Sequence, residues 1–269
     1  MRVIVTRPQG DAQGWLRGLQ AAGLCPLALP LIDIAPVADR LDIELAWCSL
    51  DDYAAVMFVS GNAVSHFFRE KPPEDLVRTA FPAPKTRVWA TGPGTAQALR
   101  DAGADASLID APAPDADQFD SQTLWVQVRG QVQPGAKVLI VRGASVASGM
   151  PAAIDSDTDR PRNWLAGQLA QAGAQVDFLT AYRRLAPAFS AKQQALAQAG
   201  ASDGSVWLFS SSEALANLAS ALPGFAWSGA RAVATHARIA DTARGLGFGV
   251  VCESRPQLAS VVASIESMR

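Results

Sequence analysis

The chain repeats itself, and the repeat limits what it can fold into. The stretch 56–64 (Val-Met-Phe-Val-Ser-Gly-Asn-Ala-Val) runs from an apolar segment through a Ser-Gly-Asn turn into an amphipathic one. Phe58, Ser60, Ala63 and Val64 have counterparts in Phe209, Ser211, Ala214 and Leu215, each 151 residues further on. Arg87, Thr91, Ala96, Arg100 and Gly103 match Arg231, Thr235, Ala240, Arg244 and Gly247 with identical internal spacing. A third pair is Val138 to Arg142 followed by Trp164, Leu165, Leu169 and Gly173, which echoes Val3 to Arg7 followed by Trp15, Leu16, Leu19 and Gly23. Each copy reads as a buried strand, a tight loop and a helix, a unit that cannot cover its own apolar surface alone.

The order is therefore short unit, long unit, short unit, long unit. One short plus one long unit gives about five strands, the number in a flavodoxin-like doubly wound sheet. Alternating strands and helices make such sheets parallel, with crossover helices. The expectation is α/β, with two flavodoxin-like doubly wound parallel-sheet domains. Duplication alone leaves open whether the first short unit joins the first long unit or the last.

Along the chain, strands are expected at 3–6, 26–34, 56–59, 87–91, 107–110 and 137–142, and helices at 11–22, after Ser60 to about 70, after Gly92 to Gly103, and from about 121. Residues 36–50 suit a linker and a capping helix, and Pro72, Pro73, Pro82 and Pro84 mark a loop, as does 111–117. The stretch 144–162, rich in Ser, Asp and Pro, breaks the rhythm and reads as an exposed insertion.

At 269 residues the chain is long enough for two such domains. A formal net charge of −2 provides no basic field for bulk nucleic-acid binding. Cys25, Cys48 and Cys252 are scattered, odd in number and without metal-ligand spacing, which suggests buried structural thiols in a reducing compartment. The first residues read as a strand ending in Arg7-Pro8, without the apolar core of a signal peptide, and no apolar run approaches a membrane span. A cytoplasmic location is expected.

In doubly wound sheets ligands bind at the carboxyl ends of strands, where loops meet helix N-termini. Ser60-Gly61-Asn62, Gly92-Pro93-Gly94-Thr95, Arg142-Gly143, Ser210-Ser211-Ser212 and Thr235-His236 are placed at such ends. Each loop alone could be ordinary helix capping; matching small polar loops in both halves favour a shared anion site. Gly92-Pro93-Gly94-Thr95-Ala96-Gln97 has Gln where a dinucleotide fingerprint needs its third Gly, and Pro93 removes a donor. No phosphate loop of the Walker type occurs, and no acidic cluster follows the first strand. His66, inside an expected helix, reads as structural; His236 opens a helix in a site loop; two histidines so placed make no metal site. Tyr182, one of two tyrosines, lies in Phe-Leu-Thr-Ala-Tyr-Arg-Arg-Leu-Ala-Pro (178–187), between the halves of the chain. It is either an interface aromatic with a satisfied hydroxyl or a site residue, and Arg183 and Arg184 beside it could simply be solvated.

Taken together, Thr6-Arg7-Pro8, the Phe-x-Ser-x-x-Ala-Val of 58–64, Thr91 to Ala96, Arg142-Gly143, Arg162 to Leu165 and Tyr182-Arg183-Arg184 resemble the uroporphyrinogen-III synthase family. Their order and spacing, rather than any one motif, carry the likeness, which runs over nearly the whole chain. The resemblance implies that the N-terminal and C-terminal stretches pack as one domain (1–36 plus 187–269) and the middle as another (40–178). Extended linkers near 32–39 and 178–186 would join them, with the active site in the cleft between.

The activity implied is that of a cyclising lyase of tetrapyrrole and haem biosynthesis. Hydroxymethylbilane, a linear tetrapyrrole, closes to uroporphyrinogen III with inversion of ring D through a spiro intermediate and loss of water. No cofactor and no metal is implied. The substrate is a polycarboxylate, which dispersed donors at helix N-termini could hold without a large net charge.

The resemblance assigns the catalytic role to Tyr182, as a phenol that donates a proton or hydrogen bond to the departing hydroxyl, with Thr95 nearby. It assigns substrate contacts to Arg7, Ser60, Gly61, Asn62, Ala63, Gly92, Arg142, Gly143, Arg162, Ser210, Ser211, Thr235, His236 and Arg238. Two departures stand out. Ile239 occupies a loop position where the family often has Thr, so His236 or Arg238 would replace its contacts, and 144–161 is longer than the usual connection to Arg162. The implied partners are the substrate and, transiently, the preceding enzyme of the pathway; no nucleic acid or membrane is involved, and a monomer is expected. The rival reading is a two-domain α/β protein that binds or senses a small anion without chemistry, in which Tyr182 would have no special value.

Overall fold

A computed structural model describes residues 1–73, 85–113, 116, 118–145 and 160–268, with the side chains of 160–163 excepted. The chain divides into two compact units, one made of 1–33 and 185–269, the other of 34–184.

In the first unit the strands are β1 (Arg2–Val5) and β2 (Cys25–Ala28) from the N-terminal stretch. They are joined by β9 (Val206–Phe209), β10 (Arg231–Ala234) and β11 (Val250–Glu253) from the C-terminal stretch. The sheet order is β11-β10-β9-β1-β2, and every pairing is parallel. Counted along the unit, this is the 2-1-3-4-5 order read from the β2 edge, with the switch point between β1 and β9. Helices α1 (Gln9–Ala21), α7 (Ala191–Ala199), α8 (Ser212–Ala221), α9 (Ala237–Gly245) and α10 (Leu258–Glu266) connect and flank the strands. Alternation sends Val3, Val5, Val206, Leu208 and Val233 to one face, where they pack with Leu19 of α1 and Val261 and Ile265 of α10. Trp207 and Phe209 join Trp227 and Phe248, the last two stacked at 5.2 Å between ring centroids.

The second unit holds β3 (Asp33–Pro36), β4 (Ala55–Phe58), β5 (Arg87–Ala90), β6 (Ile109–Asp110), β7 (Lys137–Ser145) and β8 (Gln175–Leu185) in the order β3-β8-β7-β4-β5-β6. Leaving β3 aside, the same flavodoxin-like order recurs with the chain started elsewhere, because β7 and β8 play the part of β1 and β2 but come last. The switch point is between β7 and β4. All four residues of β4 are buried, as expected for a parallel strand covered on both faces. Val56 and Phe58 pack toward α2 (Leu41–Cys48), α3 (Gly61–Arg69) and α4 (Pro93–Asp101), in a cluster with Trp47, Phe67 and Leu99. Ala55 and Met57 face the other side, among Leu124 and Val128 of α5 (Ser121–Val128) and Leu165 and Leu169, which belong to α6 (Arg160–Gln171).

Several local expectations change. The apolar run 26–34 is not one strand: β2 ends at Ala28, and β3 begins at Asp33 in the other sheet. Leu29 and Leu31 donate to Val5 and Thr6, but Pro30 between them has no N–H to continue a ladder. The segments expected as extended linkers include β3 and most of β8, both strands of the six-stranded sheet. The strand expected to stop at Arg142 runs on to Ser145. The loop expected around Pro82 and Pro84, part of 111–117, and the insertion from 146 to 159 lie outside the described residues. The cysteines are free thiols but not buried: Cys25 is exposed and Cys48 and Cys252 are half-buried. Cys25 and Cys252 fall on the two edge strands of the first sheet, which leaves them open on one side. No helix among the described residues is long and apolar enough to cross a membrane.

Candidate functional site

Both switch points carry the residues that the sequence singles out. At the carboxyl end of β4, Ser60 is the N-cap of α3 and its Oγ accepts the Ala63 N–H at 3.1 Å. This is the capping that a Ser before an amphipathic helix suggests. Ser60 has a second partner, since its Oγ lies 3.1 Å from the Tyr182 hydroxyl, with either atom able to donate. The two residues are 122 positions apart, and β8 brings them together.

Tyr182 reaches Ser60 because β8 is irregular there. Its pairing with β7 is regular up to Arg142 opposite Thr180, then shifts so that Gly143 faces Tyr182, leaving Ala181 as the extra residue of a bulge. The Tyr182 ring lies directly on Gly143: a Cβ built on that glycine would stand 2.3–2.7 Å from Cζ, Cε2 and Cε1 of the phenol. Only glycine leaves room for the ring. On α3, the His66 ring stacks with Tyr182 at a centroid distance of 5.7 Å and an interplanar angle of 29°. The phenol is only 3% exposed.

The β7 side of this nest is held by Arg184. Its Nη1 donates to the Gly143 carbonyl at 3.1 Å, and Nε and Nη2 donate to Ser145 Oγ at 3.2 and 2.8 Å. Arg184 is therefore buried rather than solvated, since a guanidinium can leave water only with such partners. Nothing local in the sequence marks this role; Arg183 and Arg184 are told apart only by the alternation along β8. His66 is also more than a helix residue. Burial, then the nearby Arg69, holds its imidazole below the ordinary value toward the neutral form, against an opposing pull from Glu70.

Other expected site residues of this unit lie nearby in the fold without joining that contact. Gly92 is the N-cap of α4 in extended backbone, and a Cβ there would come within 3.1 Å of the Phe119 Cβ. Thr95 is the third residue of α4 and buried. Thr91 Oγ1 donates to the Val59 carbonyl at 3.1 Å, tying the loop after β5 to the loop after β4. Gly61 opens α3 at ordinary contact distance from Ala98 of α4, and Asn62 is half-buried in the same first turn. Ala63 is buried and its N–H is taken by Ser60, so it offers no free donor while that cap is in place. The Arg142 guanidinium lies 4.4 Å above the ring of Phe178, itself exposed. The side chain of Arg162 lies outside the described residues.

The first unit places its residues at equivalent sheet positions. Arg7 follows β1 as Arg142 belongs to β7, and its guanidinium stacks 4.6 Å from the Trp15 ring centroid. Burial lowers the Arg7 ionisation from its usual range while Asp11 works to raise it, and its buried Nε has no hydrogen-bond partner among the described residues. Ser210 is half-buried; Ser211 caps α8, with its Oγ accepting the Glu213 N–H at 3.2 Å. Thr235 is buried at the end of β10. His236 caps α9 by accepting the Arg238 N–H on Nδ1 at 3.1 Å, so that donor too is occupied, and the Arg238 side chain is exposed. Ile239 is buried in the core side of α9, where a threonine hydroxyl would need a partner. Among the described residues no group of three or more His, Cys, Asp or Glu could hold a metal.

A buried phenol in hydrogen-bond reach of a capping serine, at the switch point of a doubly wound sheet, is an arrangement that can donate a proton or a hydrogen bond. Comparison with known proteins agrees with the fold in which it is set. The family described as uroporphyrinogen-III synthase HemD matches residues 14–263. A protein named uroporphyrinogen-III synthase from Chlorobaculum parvum is 27% identical over 197 residues, covering 71% of this chain and 67% of that one. A porphyrin biosynthesis protein HemD from Ruminiclostridium josui is 26% identical over 147 residues, 55% of this chain, and the match spans only 27% of that longer protein. The crystal structure of uroporphyrinogen-III synthetase from Helicobacter pylori shares the fold at a TM-score of 0.57 and 14% identity, each chain covered in full. The chain belongs to the uroporphyrinogen-III synthase family, lyases of haem biosynthesis.

Proposed function

We propose that the chain closes hydroxymethylbilane to uroporphyrinogen III with inversion of ring D, and that Tyr182 is its catalytic residue. The observation that carries the residue assignment is the Tyr182 hydroxyl, buried and 3.1 Å from Ser60 at the switch point between β4 and β7. As the hydroxymethyl C–O bond breaks, the leaving oxygen needs a proton, and a phenol positioned there supplies it. The delocalised cation left on the tetrapyrrole is attacked at the substituted carbon of ring D, giving the spiro intermediate that fragments and recloses. Holding the two ends of the chain together accounts for a further share of the rate.

In this reading the loops at the carboxyl ends of both sheets hold the substrate carboxylates, through Gly61, Asn62, Gly92, Arg142, Gly143 and Arg162 in one unit and Arg7, Ser210, Ser211, Thr235, His236 and Arg238 in the other. Arg7, just after β1, and Arg142, three residues before the end of β7, each lie over an aromatic ring, Trp15 and Phe178 respectively. Thr95, buried in the first turn of α4, assists Tyr182 in this reading. A monomer in the cytoplasm that meets the preceding pathway enzyme only transiently fits this activity.

A coupled assay starting from porphobilinogen tests the proposal. Without the protein, the hydroxymethylbilane formed cyclises to isomer I; with it, the product is expected to shift to isomer III. Product that stays isomer I in the presence of folded protein would overturn the assignment.

A further inference from the structure

We propose that Ser60 is a positioning residue for the phenol, stabilising the phenolate of Tyr182 as its proton leaves, rather than a ligand for a substrate carboxylate. This rests on Tyr182 being the proton donor. Ser60 Oγ has one hydrogen and two lone pairs, and the Ala63 N–H already occupies one lone pair at 3.1 Å. In the resting protein either Ser60 or Tyr182 can donate across the 3.1 Å between them. Once the phenol has lost its proton only one direction remains, with Ser60 donating and the phenolate accepting.

The surroundings make that hydrogen bond matter. Tyr182 is 3% exposed, packed between the His66 ring and the bare Cα of Gly143, so little water is at hand to solvate a phenolate there. An uncompensated charge in such a place is costly. Ser60 stands at the N-terminus of α3, where the helix dipole favours negative charge, and the Ala63 N–H bond polarises its hydroxyl toward donation. A fixed donor aimed at the atom where charge develops is worth more than one that must reorient.

The step balances. The C–O bond of the hydroxymethyl group breaks with its electron pair on oxygen, and the Tyr182 proton joins that oxygen to form water. The cation stays on the tetrapyrrole and the negative charge on the phenol oxygen. Tyr182 takes its proton back when the rearranged macrocycle loses one.

The test uses the full chain and separates kcat from KM. Ser60→Gly removes the hydroxyl with a glycine that N-caps tolerate well, and thermal unfolding checks that α3 survives. Its kcat is expected to fall about 10- to 100-fold with KM within about twofold. Ser60→Thr, which keeps a capping hydroxyl, should recover most of the rate. The double variant Ser60→Gly with Tyr182→Phe should be no slower than Tyr182→Phe alone, because the serine acts only through the phenol. Ser60→Ala repeats the comparison if glycine unsettles the helix. A raised KM with kcat kept, or a double variant slower by the product of the two single effects, would overturn the proposal. Failure of the unaltered protein to give isomer III would instead remove the function on which it rests.

Discussion

Gly143 has no side chain for a reason that an alanine would expose. The added methyl carbon would sit 2.3–2.7 Å from three ring atoms of Tyr182, and the phenol cannot retreat because the His66 ring stacks with it. Gly143→Ala is therefore expected to destabilise the protein by about 1–3 kcal/mol, as overpacked sites do, and to displace the hydroxyl from Ser60. Denaturant unfolding and steady-state kinetics on the same sample check both, and a variant with wild-type kcat would show that the phenol's position is not critical. Tyr182→Phe keeps the ring and the packing and loses only the oxygen. We expect kcat to drop about 100-fold, within the range of a lost general acid, with residual formation of isomer III because positioning survives. Wild-type turnover by the phenylalanine variant would remove Tyr182 from the chemistry.

At the scale of elements, the end of β7 and the bulge in β8 form one device. β7 runs three residues beyond Arg142, and Arg184 from β8 reaches across to hold the Gly143 carbonyl and Ser145 Oγ. Arg184→Met keeps much of the packing volume but leaves these acceptors without their donor, at an expected cost of about 1–3 kcal/mol. Because Gly143 is the floor under Tyr182, kcat should fall with stability, and an unchanged kcat in a destabilised variant would show that the β7 extension is structural only. This device was the least legible part of the chain. The β4 loop and its twin after β9 announced themselves through capping serines and buried apolar strands, which are local patterns with local causes. The meeting of Ser60 with Tyr182 depends on β8 lying beside β7, on β7 lying beside β4, and on one extra residue at Ala181; none of these leaves a mark in a window of sequence. The same limit explains Arg184, whose burial follows from a partner 41 positions away, and the split of 26–34 between two sheets, where a single apolar run conceals a change of partner at Pro30.

On the scale of the whole molecule, the sequence repeat turns out to be a repeat of topology with different starting points. β1 and β2 open the first unit, while their counterparts β7 and β8 close the second, so chain order alone could not say which halves belong together. The units also differ in how pH should act on them. His66 and Tyr53 both belong to the unit of 34–184. The His66 value in the fold is lowered by burial and by Arg69, so the unfolded chain takes up a proton first. Its contribution to stability is full above about pH 6.5, the ordinary histidine value, and is lost as pH falls through the depressed one. Tyr53 behaves in the opposite sense. Burial, first, and then its hydrogen bond of 2.9 Å to Asp177 push its phenol up to about 12. The unfolded chain therefore loses that proton first, and the contribution of Tyr53 is full below about pH 10 and lost as pH rises toward about 12. Urea unfolding at stepped pH, followed by the fluorescence of variants in which the other tryptophans are replaced by Phe, can separate the units, with Trp47 and Trp89 kept to report on one and Trp207 and Trp227 on the other. The transition of the 34–184 unit is expected to move to lower urea at both pH extremes. Tyr53→Phe should flatten its alkaline limb alone and His66→Gln its acid limb alone, and alkaline limbs of equal slope in wild type and Tyr53→Phe would show that the Tyr53–Asp177 bond does not set the stability of that unit.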